Sequence, residues 1–362
     1  MAHQFVGVDA HKRSVTVAVV DAVGGQLAAA SFANSSSGLS EVMGWLSAAA
    51  PAVLRIGVEG SSGHGRHLAE RLVAAGYDVR EVPPRRTAEH RRARRTPKTD
   101  YHDSYAIARA VAAEPTLGPV KPGAGLGEAH DELVIVRDHR NLLVQRRKTM
   151  LNQAEAALDA APLAWTDTHR AGRKVLPRLR ALLHAAQQPA TAAERELLAL
   201  LSELDADIAE LNGRIRVLDK RLTALIAACG STLLEERGIG VITAAALLAE
   251  VGDPARFRNE GAFNRWWGGA PVAVSSGEGD GVPTRHRLDL LGNRTINSVL
   301  YIMSITQGRY HQPARDYLAR KQSEGHSPKE ARRAHKTLLG RRIIRRMWAD
   351  RRRQLEPTPK AA

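Results

Sequence analysis

The chain has 362 residues, too many for one ordinary core, so two or three domains are expected, each able to bury its own interior. Its 43 arginines and 10 lysines stand against 38 acidic residues, a formal charge of +15 that favours a polyanionic partner and makes nucleic acid the first expectation. The single cysteine, Cys229, excludes an intramolecular disulfide and a cysteine-based zinc cluster, and no apolar run approaches the roughly 20 residues of a bilayer span, so a reducing, cytoplasmic setting without a membrane partner is expected.

Residues 4–32, QFVGVDAHKRSVTVAVVDAVGGQLAAASF, hold two β-rich runs separated by the polar AHKRS, then a GG turn and a third run. This pattern predicts an antiparallel meander. A helix over about 38–49, a buried strand VLRIGVEG at 53–60, a helix near 65–75 and the strand YDVREV follow. Three strands and then alternating helix and strand match an RNase H-like α/β fold. The basic run RRTAEHRRARRTPK, 85–98, sets Arg85, Arg86, Arg91, Arg92, Arg94, Arg95 and Lys98 against the single Glu89. Pro97 and Thr99 then open a helix whose first turn carries Asp100 and Asp103.

A charged helix is expected over about 128–160, bearing Arg137, Arg140, Arg146, Arg147 and Lys148. Between 197 and 225, Leu197, Leu201, Leu204, Ile208, Leu211, Ile215, Leu218, Leu222 and Leu225 alternate steps of four and three, a heptad that predicts a coiled-coil helix. It fits either a two-stranded intermolecular coil or one arm of an intrachain hairpin. After Gly230, two short helices around Gly238-Ile239-Gly240 resemble a helix-hairpin-helix, whose glycines let backbone amides approach a phosphate. The aromatic stretch RWWGGAP, the loop SSGEGDG and terminal helices complete the chain; residues 331–353 hold ten Arg and Lys against one Asp.

Asp9 ends the first predicted strand and Glu59 the fourth, neighbours in an RNase H-like sheet, so their carboxylates should converge. Asp100 and Asp103, three apart on one helical face, would complete a cluster of four. Singly, each has a plainer reading as a turn residue, a solvated strand end or a helix-start carboxylate. Together, four like charges require neutralisation, and hard oxygen ligands favour Mg²⁺ or Mn²⁺. The neighbouring arginines would hold the polyanion whose phosphate the metal polarises.

With these residues in view, the chain resembles the DEDD transposases of bridge-RNA-guided bacterial insertion sequences. The likeness runs through GVDAHKRSVTVAVVD, VEGSSGHG, KTDYHDSYAIARAV, GIGVITAAALLAEVGD, WWGGAPVAVSSGEG and LGNRTINSVLYIM. It implies a RuvC-like metal-binding domain over 1–125, a helical coiled-coil assembly region over 126–230, a mainly α C-terminal transposase domain over 231–354 and a tail over 355–362. The implied metal ligands are Asp9, Glu59, Asp100 and Asp103. The family's catalytic serine directly precedes glycine, which places it at Ser276, with Ser275 replacing the more usual polar residue. Donor and target DNA, a structured guide RNA, a homo-oligomer (dimer or tetramer) and a nucleoid-associated location are implied as well. Arg91, Arg92, Arg94, Arg95, Gly238 and Gly240 are the expected nucleic-acid contacts.

Three rivals fit parts of the pattern. A Holliday-junction resolvase or other RNase H-like nuclease would share the four carboxylates without needing the serine domain. A sugar kinase of actin-like fold would need a second glycine-rich phosphate loop that the sequence lacks. A purely architectural nucleic-acid binder would leave the carboxylates unexplained.

Overall fold

The computed structural model describes residues 3–95, 97–121, 126–166, 174–185, 188–273, 286–288 and 292–355. The chain divides into two compact units, one formed by Met1–Gly127 with Gly230–Ala362, the other by Glu128–Cys229. No helix of the described residues is long and apolar enough to cross a membrane.

The first unit begins with a mixed five-stranded sheet. Strands β1 (Gln4–Ala10), β2 (Ser14–Asp21) and β3 (Gln26–Ala33) form the expected antiparallel meander, and β4 (Val53–Glu59) and β5 (Val79–Glu81) add in parallel beside β1, giving the order β3-β2-β1-β4-β5. Both faces of β1 are buried, so its residues read as a near-continuous apolar run rather than an alternation. Val6 and Val8 face a cluster with Leu39, Val42 and Leu46 of α1 (Ser36–Ala49) and Leu68 and Leu72 of α2 (Arg66–Ala74). Phe5 on the opposite face joins Ile107, Ala108 and Val111 of α4 (Asp100–Ala113).

Gly7 sets how closely α4 lies on the sheet. A Cβ there would fall 2.1 Å from the Ser104 carbonyl oxygen and 2.3 Å from the Ala108 nitrogen, so only glycine lets the helix backbone touch β1. The basic run folds as a further helix, α3 (Pro84–Ala93), beginning with Pro84 in its first turn, where a missing N–H costs nothing.

The second unit is a helical hairpin. Helix α5 (Glu128–Ala160) runs antiparallel to α8 (Ala192–Ala228), with Arg221 against Glu132 (2.7 Å), Arg147 donating to Asn212 (2.9 Å), and Ala154 and Leu158 clustered with Leu201, Leu204 and Ile208. The short α6 (Leu163–Thr166) and α7 (Val175–His184) close that cluster through Trp165, Leu179 and Leu182. The heptad positions from Leu201 to Leu225 are buried, and α8 packs on α5 of the same chain, the intrachain arrangement of the two that the sequence allowed.

The C-terminal part of the first unit is mostly helical. It comprises α9 (Val241–Val251), α10 (Glu260–Trp266), the hairpin β6 (Pro271–Ala273) with β7 (His286–Leu288), α11 (Arg294–Tyr310), α12 (Gln312–Ser323) and α13 (Pro328–Leu355). Its core centres on Phe263, Trp267, Leu300, Met303, Leu339, Ile343 and Ile344. Before Gly238 the chain makes a single 3-10 turn, Leu233–Glu235, where a short helix was expected, and Gly238 adopts a φ of 83° before α9 begins.

Candidate active site

Strand parity carries Asp9 to the face that α4 covers, because Phe5, Gly7 and Asp9 alternate away from Val6 and Val8. Asp9 pairs in register with Glu59, so the two carboxylates leave the sheet side by side. The contact at Gly7 brings the first turn of α4 to the same edge. Thr99 caps that helix by accepting a hydrogen bond from the His102 N–H at 3.2 Å, fixing Asp100 and Asp103 in the first turn, where the free amides and dipole favour negative charge.

The four carboxylates do not all face one another. His11 Nε2 lies 3.2 Å from Asp9 Oδ2 and 3.5 Å from Asp100 Oδ1, and ligand atoms of Asp9, His11 and Asp100 fall within 4.8 Å of one another. Glu59 instead accepts a hydrogen bond from the Thr87 hydroxyl, and Asp103 is ion-paired with Arg91. Both partners come from α3, the helix of the basic run.

Burial pushes the Asp9 carboxyl up from 3.8 to about 6; His11 opposes the rise, while Glu59, Asp103 and Asp100 add to it. A buried acid among three others and an imidazole is the donor set that a hard divalent cation satisfies. Sequence reasoning missed His11, whose only signal was its position two residues past Asp9 in the turn AHKRS. It also missed Thr87 and the inward aim of Arg91.

Of the arginines expected on a polyanion, Arg91 is thus turned to Asp103, with 18% of its side chain exposed, whereas Arg92, Arg94 and Arg95 are solvent-facing. Ser276 lies outside the described residues, as does Ser275. Gly240 precedes α9, its N–H donating to the Thr243 hydroxyl at 2.8 Å.

Two known protein families match parts of the chain. Residues 6–161 match the IS110-type DEDD transposase family, described as a transposase, and residues 230–319 match the transposase IS116/IS110/IS902 family. The chain is thus similar to IS110/IS116-type transposases in both its N-terminal and its C-terminal part. It is also 29% identical over 217 residues to a "Probable family 20 transposase" of Pseudomonas aeruginosa PAO1, an alignment that covers 59% of this chain and 61% of that one. The IS110-type match spans Asp9, His11, Glu59, Asp100 and Asp103, and the second match spans Ser276.

Proposed function

We propose that the chain is a DNA recombinase of an insertion sequence, using Mg²⁺ or Mn²⁺ held by Asp9, Glu59, Asp100 and Asp103 to cleave and exchange strands through a phosphoserine on Ser276. The observation that supports this reading is the grouping of Asp9, His11 and Asp100 ligand atoms within 4.8 Å of one another at one sheet edge, with Glu59 and Asp103 near enough to add to the rise that burial gives the Asp9 carboxyl, to about 6. Asp9 and Asp100, with His11 beside both, would form the inner ligand set. A cation bound there would polarise a phosphodiester oxygen. Glu59 and Asp103 would join once Thr87 and Arg91 release them.

Serine supplies what a hydrolytic cluster lacks. Attack by the Ser276 hydroxyl oxygen forms an Oγ–P bond and breaks the P–O3′ bond, and the serine proton ends on the departing O3′. The phosphate stays attached to protein, so a second 3′-hydroxyl regains the linkage without a nucleotide cofactor. The fold reading that accompanies this is RNase H-like, specifically RuvC-like, for residues 1–125, a coiled-coil-like assembly arm over 126–230 and a transposase domain over 231–354 with a helix-hairpin-helix contact at Gly238 and Gly240. Donor and target DNA, a structured guide RNA and a homo-oligomer belong to the same reading, on the strength of the family likeness.

The test is adduct trapping. On a suicide substrate bearing the element's ends, the parent should form a protein–DNA adduct that Ser276→Ala loses and Ser275→Ala retains, with the modified peptide read by mass spectrometry. Metal-dependent cleavage with no serine adduct would instead favour a resolvase-like nuclease.

A further inference from the structure

A second polar site lies at the far end of β4 from the carboxylates. Arg55 near the start of β4 and Glu59 at its end are four residues apart, about 13 Å along the strand. Around Arg55 opens a cavity of about 480 Å³ whose wall includes Arg80, Arg256, Arg258, Arg265 and Trp266. Five guanidinium groups in one cavity repel one another unless an anion joins them.

The acids nearby are shared, paired with other arginines, or directed at the buried Arg256. Asp78 reaches both Arg80 (2.6 Å) and Arg55 (3.1 Å), and one carboxylate cannot neutralise two guanidinium groups. Burial alone would raise the Asp78 carboxyl, but the hydrogen bonds from Arg80 and Arg55 outweigh it and hold it low. Asp253 is paired with Arg351 at 3.3 Å, Glu250 accepts from Asn293 at 3.0 Å, and Glu260 is paired with Arg345. Glu81 accepts from the Ser61 hydroxyl, and Glu81, Glu250 and Asp253 all act on the buried Arg256 at the back of the pocket.

Arg256 forms the fixed back wall. It donates to the Pro119 carbonyl at 3.0 Å and the Glu250 carbonyl at 3.4 Å, and its guanidinium carbon lies 4.5 Å from the Phe257 ring centre and 4.6 Å from that of Trp266. Its Nε is buried with no hydrogen-bond partner among the described residues. Burial lowers its pKa to about 9, which leaves it charged at neutral pH. Arg258 and Arg265 are exposed and, among the described residues, have no carboxylate partner.

We propose that this arginine pocket grips a phosphodiester of the nucleic-acid partner, a backbone anchor separate from the carboxylate cluster. The inference rests on the nucleic-acid reading above and adds a place and a chemistry to it. Backbone contacts of this kind fix position rather than read sequence, and Arg is suited to them by its planar fork.

The test compares the parent with R258A/R265A in fluorescence anisotropy titrations against three 20-nucleotide probes: single-stranded DNA, RNA of the same sequence and duplex DNA. Both positions are exposed, and R258Q/R265Q replaces the alanine pair if circular dichroism shows that pair misfolded. The variant should bind at least about tenfold more weakly at about 0.1 M salt, with a log–log salt slope shallower by about 1 to 2. Loss confined to RNA would assign the anchor to RNA, and loss confined to either DNA probe would assign it to DNA. Parent-like affinity and slope on all three, while an R92A/R94A/R95A variant loses binding, would overturn the pocket and leave the functional reading standing. A parent that binds none of the probes would overturn both.

Discussion

Asp9→Asn separates the electrostatic cost of the carboxylate cluster from its use. In the folded protein the Asp9 carboxyl titrates at about 6 instead of 3.8, so ionising it costs about 3 kcal/mol more than in the unfolded chain. A raised folded pKa means that the protonated acid favours folding. The stabilisation is complete below pH 3.8, declines above it and is gone once the pH passes about 6. At pH 8 without metal the parent carries the full penalty. The asparagine variant, with no charge to bury, should melt roughly 4–6 °C higher in chelator at pH 8. That advantage should shrink as pH falls through 6 and approach zero near 4. Magnesium should raise the parent's melting temperature at pH 8 and leave the variant unchanged, because the variant loses the central ligand. Differential scanning calorimetry at several pH values, each with and without Mg²⁺, reads both effects. An equal offset at pH 4.5 and pH 8, or equal stabilisation of parent and variant by magnesium, would refute the reasoning.

Gly7→Ala should destabilise the first unit by about 3 kcal/mol, because the added methyl lands on the α4 backbone rather than on a side chain that can turn away; urea denaturation measures it, with loss of magnesium stabilisation as the second readout. Arg91→Ala should raise magnesium affinity, measured by titration calorimetry, since it frees the Asp103 carboxylate, whereas R92A/R94A/R95A should leave that affinity alone and weaken nucleic-acid binding. Ile208→Asp should lower helicity in far-UV circular dichroism and cost about 4 kcal/mol or more, because the side chain is fully buried between the hairpin helices.

Much of the site was legible because it follows from short-range rules. Alternation puts Phe5, Gly7 and Asp9 on one face, parallel pairing sets Glu59 beside Asp9, and a spacing of three keeps Asp100 and Asp103 together. None of those rules reaches His11, which lies beyond the last residue of β1, where no period governs side-chain direction. Helix α3 was hidden for another reason. Its sequence, PRRTAEHRRA, has no apolar stripe, and its one buried residue is the polar Thr87, so hydrophobic periodicity had nothing to detect. What fixes α3 is its contact with α4 and two hydrogen-bonded partners in the carboxylate cluster, a long-range arrangement.

The same limit governs how the net charge should be read. Residues 331–353 contain one acid of their own, so in sequence they look like the strongest polyanion-binding surface in the chain. In the structure Arg342 pairs with Glu236, Arg346 with Glu235, Arg345 with Glu260 and Arg351 with Asp253, acids drawn from segments some hundred residues upstream. These pairs hold α13 onto the turns before α9 and α10, and each guanidinium so held is no longer free to displace counterions from a phosphate backbone. The arginines that remain without a carboxylate partner among the described residues include Arg92, Arg94 and Arg95 at the end of α3 and Arg258 and Arg265 in the pocket. Nucleic-acid affinity should therefore follow these two small groups rather than the most basic stretch of sequence, because charge available to a partner is charge the fold has not already neutralised.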